Sequence, residues 1–276
     1  MNRKIIKIPG ILSLVAGLVL FAMGCEKEET VKEFDTGPYE VYITADSIPL
    51  GFSFYPVEAR DTFSSIDTAK LKLRFETDLI FPCFEREIAV TTFTNGTELI
   101  IRFDSVYEYC SFSVTGPASR YVLLPEETER LILVNGNEID AYDVSISSEK
   151  VSMTDLRSRF TTLEYDELFR YPENSFVYIC KTSREMNYFY DDFLFELTSN
   201  IYLREHKFIG EGVLPYPDSA YGYSNVNPVK YFIYQDESDF RKAGELLESF
   251  SSTYITPADP VRISLINWKN EQYLSW

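Results

Sequence analysis

The sequence predicts a mature chain of two domains: an all-β sandwich over residues 39–153, then an α+β domain over residues 154–276. Three observations predict it. Short alternating apolar and polar runs, separated by Pro, Gly, Asp and Ser, fill the first region, as half-buried strands require. Two Asn-Gly pairs, Asn95-Gly96 and Asn135-Gly136, each sit between two such runs. Beyond residue 154 strands alternate with two stretches whose apolar residues recur at helical spacing. A length of 276 residues agrees with about two domains.

Residues 1–24 precede the fold. Arg3, Lys4 and Lys7 form a basic start, and an apolar stretch follows from Ile11 to Phe21. That stretch is short of the ~20 residues of a spanning helix and has the length of a signal-peptide core. It ends in Ala22-Met23-Gly24-Cys25. Here the chain resembles bacterial lipoproteins, whose signal closes in such a lipobox. The resemblance implies cleavage before Cys25 and lipidation of Cys25, with acyl chains contributing ~0.8 kcal/mol per buried methylene to an outer-membrane anchor. Residues 25–38 read as an acidic tether, since Glu26 to Glu33 is too charged to fold alone. Within it Lys27-Glu28-Glu29 is similar to the export tag of Bacteroidetes surface lipoproteins, which implies display toward the cell exterior.

The sandwich is read strand by strand. Glu40–Thr44 and Lys70–Phe75 alternate cleanly. Ile88–Phe93 and Leu99–Phe103 flank the first Asn-Gly pair, and Leu131–Val134 and Ala141–Ile146 flank the second. Asn-Gly suits a type I′ turn, so both are read as hairpins. Seven or eight short strands resemble an immunoglobulin or fibronectin III sandwich. Both tryptophans, Trp268 and Trp276, lie outside it, so the Cys-Trp-Cys core of an immunoglobulin domain is absent.

In the second region Ser175–Cys180 is apolar on both faces, as a central strand is. Met186, Phe189, Tyr190, Phe193 and Leu197 then predict a helix over Arg184–Ser199, opened by Ser183. Strands near Tyr202–Ile209, Val229–Tyr234 and Val261–Ile266 follow. A second helix is predicted over Asp239–Phe250, opened by Asp236 or Ser238. The order β-α-β-β-α-β predicts a ferredoxin-like domain.

Candidate chemistry is sparse. Cys83 and Cys110 could pair in an oxidising compartment, or these two and Cys180 could be buried free thiols. Cys180 belongs to an apolar strand face, which disfavours a thiolate. His206, the one histidine, sits among charges and reads as an edge-strand residue. Asp191, Asp192 and Glu196 lie opposite the apolar stripe of the first helix and read as its solvated face, although paired carboxylates are what a glycosidase uses. The loop from Leu214 to Pro228 combines Tyr216, Tyr221 and Tyr223 with Asn225, and reads either as an Ω-loop packed on its own aromatics or as a ligand-binding surface, which such rings and amides suit. Asp46-Ser47-Ile48, Asp67-Thr68-Ala69, Asp104-Ser105-Val106 and Asp218-Ser219-Ala220 resemble short O-glycosylation sites of Bacteroidetes.

A formal charge of -17 repels phosphate backbones, so nucleic acid is excluded as a partner. Loss of residues 1–24 leaves 23 Lys and Arg against 43 Asp and Glu, a charge of -20. No metal site or cofactor motif is present in the sequence, and no metal or cofactor is expected. The expectation is therefore a lipid-anchored, non-enzymatic binding or scaffold protein for a glycan or protein partner. Its alternatives are a glycan-acting hydrolase with paired carboxylates and a structural subunit of an envelope assembly.

Overall fold

The structure, a computed structural model, describes residues 34–60, 68–82, 86–108, 115–216 and 225–275. Ten strands form one mixed sheet. They are β1 (Phe52–Ala59), β2 (Lys70–Phe81), β3 (Arg86–Asn95), β4 (Glu98–Glu108), β5 (Gly116–Leu123), β6 (Arg130–Asn135), β7 (Glu138–Ile146), β8 (Lys150–Arg157), β9 (Thr161–Leu163) and β10 (Glu167–Phe169). Their order in the sheet is β10-β8-β7-β6-β4-β3-β5-β2-β1-β9. The two terminal strands are thus consecutive in the chain and joined by only three residues.

That connection forces the sheet to curl until its edges approach one another. On one side the Glu164 amide donates to the Phe54 carbonyl on β1, and on the other the Met153 amide on β8 donates to the Asp166 carbonyl. Bulges between Glu76 and Ile80 on β2, at Ala89/Val90 between β3 and β4, and at Ala141/Tyr142 between β7 and β8 supply bending and extra twist. The inward side chains close the middle with aromatic rings: Phe52 stacks on Phe103 at 4.4 Å, and Tyr142 meets Phe54 edge-on at 4.9 Å. The seam between β3 and β5 is thin, a single parallel bridge from Glu87 to Ser119.

The second sheet comprises β11 (Ser175–Thr182), β12 (Arg204–His206), β13 (Asn225–Val226), β14 (Lys230–Ile233), β15 (Arg262–Asn267) and β16 (Gln272–Leu274). Its order is β12-β14-β11-β15-β16, with β13 also paired to β11, and every pair is antiparallel. Helices α1 (Tyr188–Asn200) and α2 (Glu237–Tyr254) pack on one face. Phe176, Tyr178 and Cys180 of β11 point to the helices, while Val177 and Ile179 point the other way to Tyr216. Asp236 caps α2 through a capping box with Asp239. The first helix starts later than the stripe suggests. Ser183 opens only a 3-10 turn, Arg184–Met186, and α1 begins at Tyr188 after Asn187.

The predicted fold class, an immunoglobulin or fibronectin III-like sandwich followed by a ferredoxin-like domain, is corrected by this topology. One curled ten-stranded sheet with parallel pairs replaces two facing antiparallel sheets. Strands β9 and β10 join that sheet although they lie beyond residue 154, and the second sheet has six strands. Asp35–Trp276 forms a single compact unit. The physical reason is that alternation reports only that one strand face is buried. A sandwich and a curled sheet meet that condition equally well. Both predicted hairpins form, shifted by one residue in the turn: Asn95 and Asn135 end their strands, and Gly96 and Gly136 take the positive φ, +60° and +61°.

Candidate functional site

Arg170, the residue after β10, lines two concave regions of the surface. Its Nε donates to Glu58 Oε1 at 2.8 Å, and its Nη1 and Nη2 donate to the two oxygens of Glu126 at 2.7 and 2.8 Å. The Glu58 carboxylate, 5% exposed, also accepts the Tyr171 amide at 2.7 Å. One guanidinium therefore ties the end of β1 to the β5–β6 connection. Burial opposes its charge, but the hydrogen bonds to Glu126 and Glu58 more than offset this and hold its pKa above the ordinary value.

Two clefts flank Arg170 and share it with Ser148 and Glu173. The first, about 600 Å³, is lined by Phe169, Phe208 and Ile233 and by the cations Arg204 and Lys207 beside His206. The second, about 590 Å³, holds Glu58, Glu126, Tyr171 and Trp268. The first cleft mixes charges, with Glu149, Glu173 and Glu205 beside its cations, whereas the acids of the second are Glu58, Glu126 and Glu173. Arg60 spans from the first sheet to the second: its Nη2 donates to the Trp268 carbonyl at 2.5 Å and its guanidinium lies 5.2 Å from the Tyr171 ring.

The rings behind the first cleft form a chain. His206 meets Phe208 edge-on at 4.7 Å, Phe208 meets Tyr231 at 5.0 Å, Tyr231 lies 5.9 Å from Tyr216, and Tyr216 meets Tyr171 at 4.8 Å. His206 lies on the edge strand β12 and is half-buried. Burial, then the charge of Arg204, lowers its pKa below 6.5, with Glu149 opposing, so the imidazole is neutral at neutral pH. Lys230 hydrogen-bonds Glu205 at 2.7 Å and lowers that carboxyl's pKa.

The residues singled out in the sequence are dispersed. Tyr216 is buried, and its hydroxyl lies 2.8 Å from the Ser175 hydroxyl. Asn225 opens β13 opposite Thr182 through its backbone. Tyr221 and Tyr223, like Cys25, Cys83 and Cys110, lie outside the described residues. Cys180 is a buried free thiol whose pKa burial pushes up to about 12. Asp191, Asp192 and Glu196 are exposed on α1. Of the glycosylation-like serines, Ser47 is exposed and Ser105 is half-buried in β4.

Arg170, Glu58, Glu126 and Trp268 escaped the sequence reading. Glu58 and Glu126 lie 112 and 44 residues from Arg170, so no local spacing could link them. Among the described residues no cluster of three His, Cys, Asp or Glu could hold a metal ion, and no helix is long and apolar enough to cross a membrane. No protein-family model, curated protein or solved structure matches the chain.

Proposed function

We propose that this chain is a cell-envelope lipoprotein, held in the outer membrane by lipid on Cys25 and facing the cell exterior. It acts as a non-enzymatic binding or scaffold protein for a glycan or protein partner, with the clefts around Arg170 as the ligand site. The observation that carries binding over hydrolysis is the state of Glu58 and Glu126. A glycosidase needs one carboxyl to deliver a proton and a second free to attack or to activate water. Both carboxylates here are held by Arg170. What the clefts leave for a ligand is the Trp268 indole and the side chains of Arg204, Lys207 and Glu173, groups that stack on and hydrogen-bond to sugars or peptides.

Two measurements test this reading. Metabolic labelling with an alkyne fatty acid is expected to mark the full chain and to fail in Cys25→Ser; labelling of neither chain removes the anchor. A chain starting at Glu26 is expected to retain oligosaccharides or a partner from a defined panel, more weakly in Trp268→Ala and Arg204→Ala. Release of new reducing ends from those oligosaccharides would instead establish a hydrolase.

A further inference from the structure

A second concave site lies between the helices and shares no lining residue with the clefts at Arg170. It is an open groove of about 370 Å³, lined by Tyr188, Phe189, Phe195, Phe250, Tyr254 and two carboxylates, Asp192 and Glu196. On α1, positions 188, 192, 195 and 196 fall on one helical stripe, and on α2 Phe250 and Tyr254 are four apart. The floor is core: Phe189 and Phe250 are buried and meet edge-on at 6.2 Å. The rim is not. Tyr188, Phe195 and Tyr254 are 53, 70 and 60% exposed.

Tyr188 packs on Phe189 at 4.4 Å and Tyr254 on Phe250 at 5.1 Å, yet with Phe195 they leave three large, mostly exposed rings around one groove, a cluster of the kind that marks a contact surface rather than scattered residues. The groove's charge is set by the two acids. Asp192 makes no hydrogen bond or ion pair among the described residues, and the Glu196 carboxylate accepts only from the Asn200 amide, at 3.1 Å. α1 contains no Lys or Arg, and neither helix has a basic residue in its last turn. Uncompensated carboxylates beside aromatic faces are the two components that attract an organic cation, one by charge and the other by the ring quadrupole.

We propose that this groove docks a basic segment of a partner protein, a Lys or Arg side chain entering between the rings with its apolar neighbours covering Phe195 and Tyr254. The open shape favours a chain segment over a small cation, which would leave the rim rings in water. The net charge of -17 draws such a partner in. This site does not depend on the function proposed for the Arg170 clefts.

The experiment uses the full-length chain and C-terminally amidated pentapeptides Leu-Leu-X-Leu-Leu with X as Lys, Arg or Gln, each capped at its N-terminus by a fluorophore and read by fluorescence anisotropy. Lys and Arg peptides are expected to bind, the Gln peptide about tenfold or more weakly. The double variant Asp192→Asn/Glu196→Gln is expected to lose the preference, and Phe195→Ala to weaken both basic peptides, by about tenfold. Circular dichroism and Tm of both variants are expected to stay at the parent values, since all three positions are exposed. Equal binding of Lys and Gln peptides overturns the proposal. So does tetramethylammonium competing as well as the Lys peptide, which assigns a small cation, and so does a dimer abolished by Phe195→Ala, which assigns a second copy.

Discussion

The carboxylate of Asp140 on β7 accepts the hydroxyl of Thr161, the first residue of β9, at 2.6 Å. The same carboxylate accepts the amides of Arg159, Phe160 and Thr161 at 2.7, 3.0 and 2.9 Å, and Asp140 is fully buried. Thr161 in turn lies 2.9 Å from the buried Tyr142 hydroxyl. These contacts turn the chain so that β9 reaches β1, where the Phe52 amide donates to the Phe160 carbonyl. Asp140 therefore fixes the corner that leads into β9, beside the backbone pairing of β9 with β1 and of β10 with β8. Asp140→Ala leaves three amides without an acceptor and is expected to cost about 3 kcal/mol or more, read by urea unfolding. Asp140→Asn keeps one acceptor oxygen and is expected to cost less. Equal midpoints for parent and Asp140→Ala would show that the corner holds itself.

Arg170 makes a parallel prediction at the other end of the chain's ion pairs. Glu58 is almost wholly buried, so Arg170→Ala strands a charge there and is expected to destabilise by about 3 kcal/mol. Adding Glu58→Gln to that variant is expected to restore part of the loss, because a neutral amide costs less to bury than an unpaired carboxylate. Glu126 is exposed, and Glu126→Gln is expected to change stability by at most about 1 kcal/mol. A double-mutant cycle on unfolding free energies checks all three.

The two hairpin glycines differ in what surrounds them. Both hold positive φ, so alanine is strained at either. A Cβ on Gly96 would meet nothing within 4 Å, whereas one on Gly136 would come within 2.9 Å of the Ser47 Cα. Gly96→Ala is thus expected to cost about 1 kcal/mol and Gly136→Ala clearly more, since the latter also displaces the segment bound through the Thr44 amide to the Gly136 carbonyl. Thermal unfolding of the pair decides it.

His206 gives a pH signature that is easy to isolate, because the chain has one histidine. Burial, then Arg204, lowers the folded pKa below 6.5, so the unfolded chain takes up the proton first as pH falls. The stability linked to this group is fully present above pH 6.5 and is lost as pH falls through the folded pKa. NMR titration of the imidazole is expected to show a midpoint below 6.5, rising in Arg204→Ala. A midpoint above 6.5 contradicts the burial described for it.

Cys180 is expected to resist iodoacetamide at pH 8 in the native chain, since burial raises its thiol pKa to about 12 and the attacking species is the thiolate. Peptide mapping should find it modified only as the chain unfolds. Rapid native alkylation would place the thiol at the surface.

Periodicity made much of the local structure legible. The apolar faces of β11 and the buried stripes of α1 and α2 follow from residue spacing, while the cap of α2, which the sequence left between Asp236 and Ser238, is Asp236. The candidate site was far less legible. Tyr216 was conspicuous as part of an aromatic loop, yet its ring lies between Tyr171 and Tyr231, because a tyrosine can fill a core as readily as it can face a ligand once Ser175 satisfies its hydroxyl. Arg170 carried no local signal, since its partners come from distant parts of the chain.

What the sequence by itself determined is therefore short-ranged: most of the strands and both helices, and the hairpin turns to within one residue. Those features depend on neighbours a few residues apart. Glu40–Thr44, read as a strand, instead overlaps a 3-10 helix, Gly37–Tyr42, because alternation over five residues does not supply a sheet partner. Only the tertiary structure decided that ten strands curl into one sheet, because β9 and β10 must pair at opposite ends of it across a three-residue link. It alone set Arg170 between two glutamates and left Tyr188, Phe195 and Tyr254 around uncompensated acids. Pairings of that range depend on how the chain closes in space, and the residue pattern along a strand is the same whichever partner it finds.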